Sequence, residues 1–414
     1  MSDELKDVLH RGAGLPNATW GFDHVWRRSQ RQRARNIALN AVAALGIVAV
    51  AAITMPLIRS AEVADDRGSR IAPADQGMWQ PRARWERIPE APIDGRYGNV
   101  AVWTGQEMLV WGGTDDDDDD HAELVNGAAF DPGTREWRPL SNGPLASSGG
   151  RSAVWTGEVM LLWGGGDHPR PENGAAYDPG TDSWAELPPA PHTPPVSHSA
   201  IWTGEEMIVW GGVGAEEHGA AFDPRSRRWR TIAPAPVDGR SGHSAVWTGT
   251  EMIVWGGRAG LPLATGAAYD PDSDSWRELP PAPIAERNLH AATWTGEEMI
   301  VWGGWKEQAA VSDGAAYDPI SDTWRELPQA PIDAAILDST AVWTGSEVIV
   351  VGADGKVAAY SPKENQWTRL PEPPGGAVTL PSVVGADGEV LLWGGAPLSG
   401  DAHSNEGAIL RLGH

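Results

Sequence analysis

Trp202-Thr-Gly-Glu-Glu-Met-Ile-Val-Trp-Gly-Gly212 recurs with small changes along the 414-residue chain. Its copies end at Gly113, Gly165, Gly212, Gly257 and Gly304, in weaker form at Ala353, and again fully at Gly395. The steps between them are 52, 47, 45, 47, 49 and 42 residues, a period that belongs to propeller blades rather than helical solenoids. Seven copies predict an all-β, seven-bladed β-propeller.

Residues Gly239 to Trp276 show how one unit is built. The apolar run Ser244 to Trp247 meets Thr248-Gly249, and a second run, Met252 to Trp255, stops at Gly256-Gly257. Two short β-rich runs across a glycine turn predict a hairpin. A variable stretch leads to Gly266-Ala-Ala-Tyr269 and then Asp270-Pro271, where Asp initiates a turn and Pro presets φ. Trp276 opens a fourth strand. One such sheet cannot cover both of its own faces, so neighbouring units must cover them.

Tryptophan supplies the cohesion. First strands carry Trp103, Trp155, Trp202, Trp247, Trp294 and Trp343, and second strands carry Trp111, Trp163, Trp210, Trp255, Trp302 and Trp393. Fourth strands carry Trp85, Trp137, Trp184, Trp229, Trp276, Trp324 and Trp367, so 19 of the 23 tryptophans occupy repeat positions. A fixed register of this kind predicts packing between blades rather than an aromatic ligand cage.

With its glycine pair, its later aromatic (Phe130, Tyr177, Phe222, Tyr269, Tyr317 and Tyr360, with Ile409 in the last unit) and its Trp, the pattern resembles the kelch repeat over about residues 85 to 412. Val351-Gly352-Ala353 in blade 6 and Gly385 in blade 7, where the first-strand Trp is missing, depart from it. The last repeat supplies three strands, about Ala377 to Val384, Glu389 to Trp393 and Gly407 to Leu412. Trp85-Glu-Arg-Ile-Pro89 is a fourth strand with no blade before it. Joining them predicts that both ends of the chain complete blade 7, leaving no open edge.

Residues Asn36 to Ile58 contain no charge. As a helix they extend roughly 34 Å, enough for a hydrocarbon core of about 30 Å. Arg27, Arg28, Arg31, Arg33 and Arg35 precede this stretch, and the arginine bias places the N-terminus in the cytoplasm. The expected organisation is a cytoplasmic tail (1–35), a transmembrane helix (36–58), a linker (59–84) and an extracytoplasmic propeller (85–414). A cleaved signal fits less well: the apolar stretch is long, starts late, and lacks a small-x-small site.

The formal charge is −24, and residues 1–35 carry seven Lys or Arg against four acids, so the remainder stands at −27. A domain this acidic repels nucleic acid and anionic lipid. Cysteine is absent, so cohesion must come from packing and ring closure. The excess of Arg over Lys, with abundant Ala, Gly and Pro, suggests a GC-rich bacterial genome, and the N-terminal tail resembles those of actinobacterial membrane proteins.

Propeller topology sends the loops between strands 2 and 3, and between strand 4 and the next strand 1, to one face. These are the long and variable ones, so binding is expected there. Four positions before each first-strand Trp stand Asn99, Arg151, His198, His243, His290 and Ser339. Three positions earlier, Arg96, Arg240 and Arg287 recur. Asn99, Arg151, the histidines and these arginines are the candidate ligand-binding residues, a polar ring suited to a small anion or sugar acid. The competing reading is that they bond neighbouring loops.

No cofactor and no metal site are expected. His198, His243 and His290 come from successive blades, too widely spaced for one ion at about 2 Å. The run Asp115 to Asp120 lacks the spaced ligands and turn glycine of a calcium loop. No nucleophile elbow, zinc-helix motif or phosphate loop occurs. The kelch resemblance also brings in copper radical oxidases, which the absence of Cys excludes. The expected function is a membrane-anchored binding module for a protein or carbohydrate. The alternative is a carbohydrate-active enzyme, such as a sialic-acid-type mutarotase or a lyase, with its site at the channel mouth.

Overall fold

The computed structural model describes residues 83–114, 124–145, 150–165, 174–191, 197–212, 218–306, 309–333, 340–352, 354–376, 378–379, 381–397 and 403–413. The expected cytoplasmic tail, membrane span, most of the linker, and the acidic run at 115–120 lie outside them, as does Ser339. Among the described residues no helix is long and apolar enough to cross a membrane.

Seven four-stranded antiparallel sheets form the molecule. In blade 1 strands a to d are Val100–Trp103, Met108–Trp111, Gly127–Asp131 and Glu136–Pro139. Blades 2 to 6 repeat this order, and each a strand contacts the a strands on either side until the circuit returns to blade 1. The a strands therefore surround the centre, and the d strands form the outer rim.

Strands b and c are sealed from water, as in Met108–Trp111 and Gly127–Asp131, whereas strand d is mostly exposed. Strands covered on both faces need continuous apolar runs rather than alternation, and this explains the Met-Ile-Val-Trp and Gly-Ala-Ala-Tyr signatures. Successive side chains point to opposite faces. Met108 and Val110 thus pack toward blade 7, while Leu109 and Trp111 pack toward blade 2. Seven apolar clusters result, one at each junction.

Each b-strand Trp meets the d-strand Trp of the next blade, with ring centroids 4.4 Å apart for Trp163–Trp229 and 5.9 Å for Trp302–Trp367. Every d-strand indole then donates to a backbone carbonyl of the preceding blade, as in Trp137 to Pro89 and Trp276 to Ala233, both at 2.8 Å. The tryptophans are inter-blade packing, as their register predicts. Blade 6 has Val351 in place of the b-strand Trp, and an aliphatic cluster of Val351, Leu370, Val390 and Leu392 fills that junction instead.

Blade 7 consists of Ser382–Ala386, Glu389–Trp393, Gly407–Leu412 and, from the other end of the chain, Ala83–Arg87. The closing strand runs antiparallel to Gly407–Leu412, with Trp85 opposite Leu410 and Ala83 opposite Leu412. It begins two residues before Trp85 and stops short of Pro89; Ile88 still donates its N–H to the Gly407 carbonyl at 3.0 Å, and its side chain fills the space against Gly407. The a strand begins at Ser382 rather than near Ala377; Val378–Thr379 pairs instead with Ala396–Pro397 in a separate ribbon.

Toward the short-turn face, a second system of ties joins neighbouring blades. Arg138, Arg230, Arg277 and Arg325, each following a d-strand Trp, form forked pairs with Glu107, Glu206, Glu251 and Glu298 of their own a–b turns. Each also reaches the hydroxyl of Tyr177, Tyr269, Tyr317 or Tyr360 in the next blade. That hydroxyl donates to Asp182, Asp274, Asp322 or Asn365. The arginine is replaced by Thr368 ahead of Ile409 in blade 7, and by Ala185 or Glu86 where the next blade has Phe222 or Phe130; Ile409, Phe222 and Phe130 carry no hydroxyl. Beside the phenylalanines, Arg227 or Arg135 stands in place of the acid and donates to the carbonyl of Glu186 or Arg87. The substitutions change together because a buried hydroxyl without its partner is costly.

Candidate functional site

The b strand of each regular blade ends in a glycine pair because two segments pass against it, one from the next blade and one entering its own a strand. Gly256 has φ +65°, and a Cβ there would sit 2.6 Å from the His290 ring. At Gly257, with φ +88°, it would sit 2.9 Å from the Ser241 carbonyl oxygen. Only glycine admits both the left-handed backbone and the close approach.

This approach determines where the candidate residues lie. Arg96, Arg240 and Arg287 are 0, 1 and 0 % exposed, so their guanidinium groups point into the blades and not to the channel mouth. Arg240 donates through Nη1 to the carbonyls of Gly256 and Thr265 and to Thr265 Oγ1, while Nε holds the carbonyl of Asp238. Arg287 repeats this with Gly303, Asp313 and Ala285, and pairs with the Asp313 carboxylate at 2.9 Å. Arg96 does the same with Gly112, Asn126 and Asp94. Their own carbonyls accept from Gly212, Gly257 and Gly395 of the preceding blade. Each arginine therefore ties one blade to the next. Burial pulls Arg240 down to about 10, partly offset by Asp238, which leaves it charged at neutral pH.

The residues three positions further on clasp the inner strands together. His243 Nε2 shares a hydrogen bond with Ser199 Oγ at 2.9 Å, His290 Nε2 with Ser244 Oγ at 2.8 Å, and Asn99 Nδ2 donates to Ser382 Oγ at 2.6 Å. The Ser152 hydroxyl donates to the carbonyl of His198. Each partner lies in the preceding blade. The His243 and His290 rings stand edge-on to Trp210 and Trp255, and Arg151 sits over Trp111 in the same way. The three histidines are thus distributed along successive junctions rather than gathered. Among the described residues no three His or acidic side chains are placed to hold a metal ion.

Burial, reinforced by the Arg240 charge, pulls His243 down to about 3. Burial, then Arg287 and His243, do the same to His290. Nδ1 of the His290 ring is buried without a hydrogen-bond partner among the described residues, so its protonation would leave an N–H with no acceptor, whereas a backbone hydrogen bond at Arg240 partly offsets the downward pull on His243. An unfolded histidine takes up its proton near pH 6.5. Stability contributed by neutral rings is therefore complete above about pH 6.5 and drains away as the pH falls toward 3, by up to about 1.4 kcal/mol per pH unit for each ring. The expected result is a melting temperature that falls from pH 7 to pH 5, with a shallower slope in the His243→Gln, His290→Gln double variant. Equal slopes would count against these rings as the source.

The exposed features of the loop face lie elsewhere. In blade 4 the b–c loop rises as a hairpin, Arg258–Ala259 paired with Leu261–Pro262, and Leu261 is 77 % exposed. In blade 5, Trp305–Lys306 pairs with Ala309–Ala310. Bridges between Ser241 and Arg258, and between Asn288 and Trp305, fasten both hairpins to the d–a loops. Sequence reasoning passed over Arg258, Leu261 and Lys306 because they lie in variable loops without a repeated register. Their signal is the apolar Leu261 directly after Gly260 in the Arg258-Ala-Gly-Leu-Pro262 segment.

Residues 197–395, from the start of blade 3 to the glycine pair of blade 7, match the family described as the KLHDC2/KLHL20/DRC7 Kelch-repeats domain. No curated protein matches the chain. The glycine-pair repeat, the seven four-stranded blades and the shared closing blade agree with that match and support a kelch-repeat β-propeller, a fold that typically serves as a protein-binding module.

Proposed function

We propose that the protein is a membrane-anchored propeller that binds a protein partner outside the cytoplasm through its loop face. The observation that carries this reading is the pair of fastened hairpins on blades 4 and 5, which present Leu261, Arg258 and Lys306 on an immobilised base. A solvent-exposed leucine beside cationic side chains suits an anchor-and-rim contact with a polypeptide better than a sugar pocket. Arg96, Arg240 and Arg287 with Asn99, Arg151, His198, His243 and His290 then act on a ligand through the loops they hold. The charge-free stretch at 36–58 and its arginine flank support the anchor. Ala83, where the closing strand begins opposite Leu412, lies at the short-turn face, so a tether ahead of it leaves the loop face pointing away from the membrane.

The test is cross-linking on intact cells with a membrane-impermeant amine reagent, for which Lys306 lies within the contact. The expected result is a discrete cross-linked partner that Leu261→Asp removes and Ile320→Asp, an exposed change on the opposite face, retains. Cross-linking that appears only after lysis would overturn the placement. Equal loss in both variants would overturn the choice of face.

A further inference from the structure

On the short-turn face, a cleft of about 520 Å³ opens between blades 3 and 4. The indole of Trp247, partly exposed, lines it beside Gly249, where an added Cβ would meet nothing within 4 Å. Glu206 and Arg230 on its wall neutralise each other through their forked pair. In all, the lining sets the four carboxylates of Glu205, Glu206, Asp223 and Asp272 against Arg225 and Arg230, a formal net charge of −2. Asp223 holds the backbone N–H of Arg225. The exposed carboxylate of Asp272 makes no hydrogen bond or ion pair among the described residues.

The repeat shows that this combination is peculiar to one junction. Glu205, third in its a–b turn, lies across from Asp272, third in the next blade's c–d turn. The corresponding pairs are Gln106 with Gly180, Glu158 with Arg225, Thr250 with Ile320, and Glu297 with Lys363. Two acids hold these positions, beside a lining tryptophan, only between blades 3 and 4. Packing does not require them, since the forked Arg and Glu ties recur with Thr250 or Glu297 in that place.

We propose that this cleft binds the guanidinium or ammonium group of an arginine or lysine side chain from a polypeptide partner, seated over Trp247 and countered by Glu205, Asp223 and Asp272. An aromatic face with carboxylates around it suits a cation. The net −27 carried by residues 36–414 raises the local concentration of cationic groups. The site lies on the face opposite the fastened hairpins and stands or falls independently of them.

Calorimetric titration of the full-length chain with N-acetyl-triarginine amide at low ionic strength tests the assignment. The expected result is saturable binding, weakened about tenfold by Asp272→Lys and unchanged by Glu364→Lys, an exposed charge reversal on the corresponding turn of blade 6. Glu205→Gln with Asp272→Asn, which removes charge while keeping shape, should weaken binding in the same direction. Absent binding overturns the proposal, as does equal weakening by Glu364→Lys, which marks diffuse attraction. So does binding of neutral maltotriose in place of the peptide with the same dependence on Asp272, which would make the cleft a sugar site.

Discussion

Deleting residues 1–90 is expected to lower the melting temperature by more than about 10 °C relative to deleting residues 1–78, or to leave an aggregating protein. The longer deletion removes the outer strand of blade 7 with its full ladder to Gly407–Leu412. It also removes the Trp85 indole bond to the Pro371 carbonyl and the pairing of Arg411 with Glu86. Loss of the packed Trp alone costs roughly 3–5 kcal/mol. The exposed edge of Gly407–Leu412 would then offer unpaired N–H and C=O groups to other chains. Thermal melts of the two truncated proteins, with light scattering to detect association, make the comparison. Equal melting temperatures would show that the ring holds without its closing strand.

Arg240→Ala combined with Arg287→Ala is expected to unfold the propeller or to destabilise it by about 4–8 kcal/mol. Each guanidinium satisfies carbonyls that no other described side chain reaches: Gly256 and Thr265 for Arg240, Gly303 and Asp313 for Arg287. Truncation strips the buried Gly256 and Gly303 carbonyls of this donor beside a void the size of the side chain, while the Thr265 and Asp313 carbonyls keep only the backbone N–H of Gly256 and Gly303. Arg240→Lys should recover only part of the loss, because one ammonium cannot reproduce the planar fork that serves the Asp238 carbonyl and the Gly256 and Thr265 carbonyls together. Denaturant melts of the three variants measure the effect. A double variant as stable as the parent would mean that the struts are dispensable and the arginines are available for another role.

The architecture was legible because blade cohesion is written in repeated local terms. The apolar b and c runs, the glycine pair, the Asp-Pro turn and the three tryptophan positions each carry their instruction within a few residues. Seven repetitions make their register unmistakable. Even the closing strand could be found by counting Trp85 against the missing fourth Trp of the last repeat. The boundaries of blade 7 were less legible because Val378–Thr379 is as β-prone as the strand that follows it. Its partner Ala396–Pro397 comes near only through the loop geometry.

The candidate residues were found, but the direction of their side chains was not. An arginine at a strand entrance reads the same in sequence whether its guanidinium reaches solvent or turns inward. What turns Arg240 inward is the set of carbonyls at Gly256 and Thr265, which assemble only when the b–c loop folds back over the strand. The same holds for His243, whose partner Ser199 lies 44 residues away, and for the forked pairs of Arg230 and Glu206. The sequence by itself determined the number of blades, the strand order, the inter-blade tryptophans and the ring's closure, because short-range patterning sets which segments pair and which faces are apolar. Only the tertiary structure decided that the buried arginines are struts, that His243 and His290 clasp neighbouring strands with buried rings, and that Leu261 and the Trp247 cleft occupy opposite faces. Those properties depend on which polar groups from distant segments meet out of reach of water.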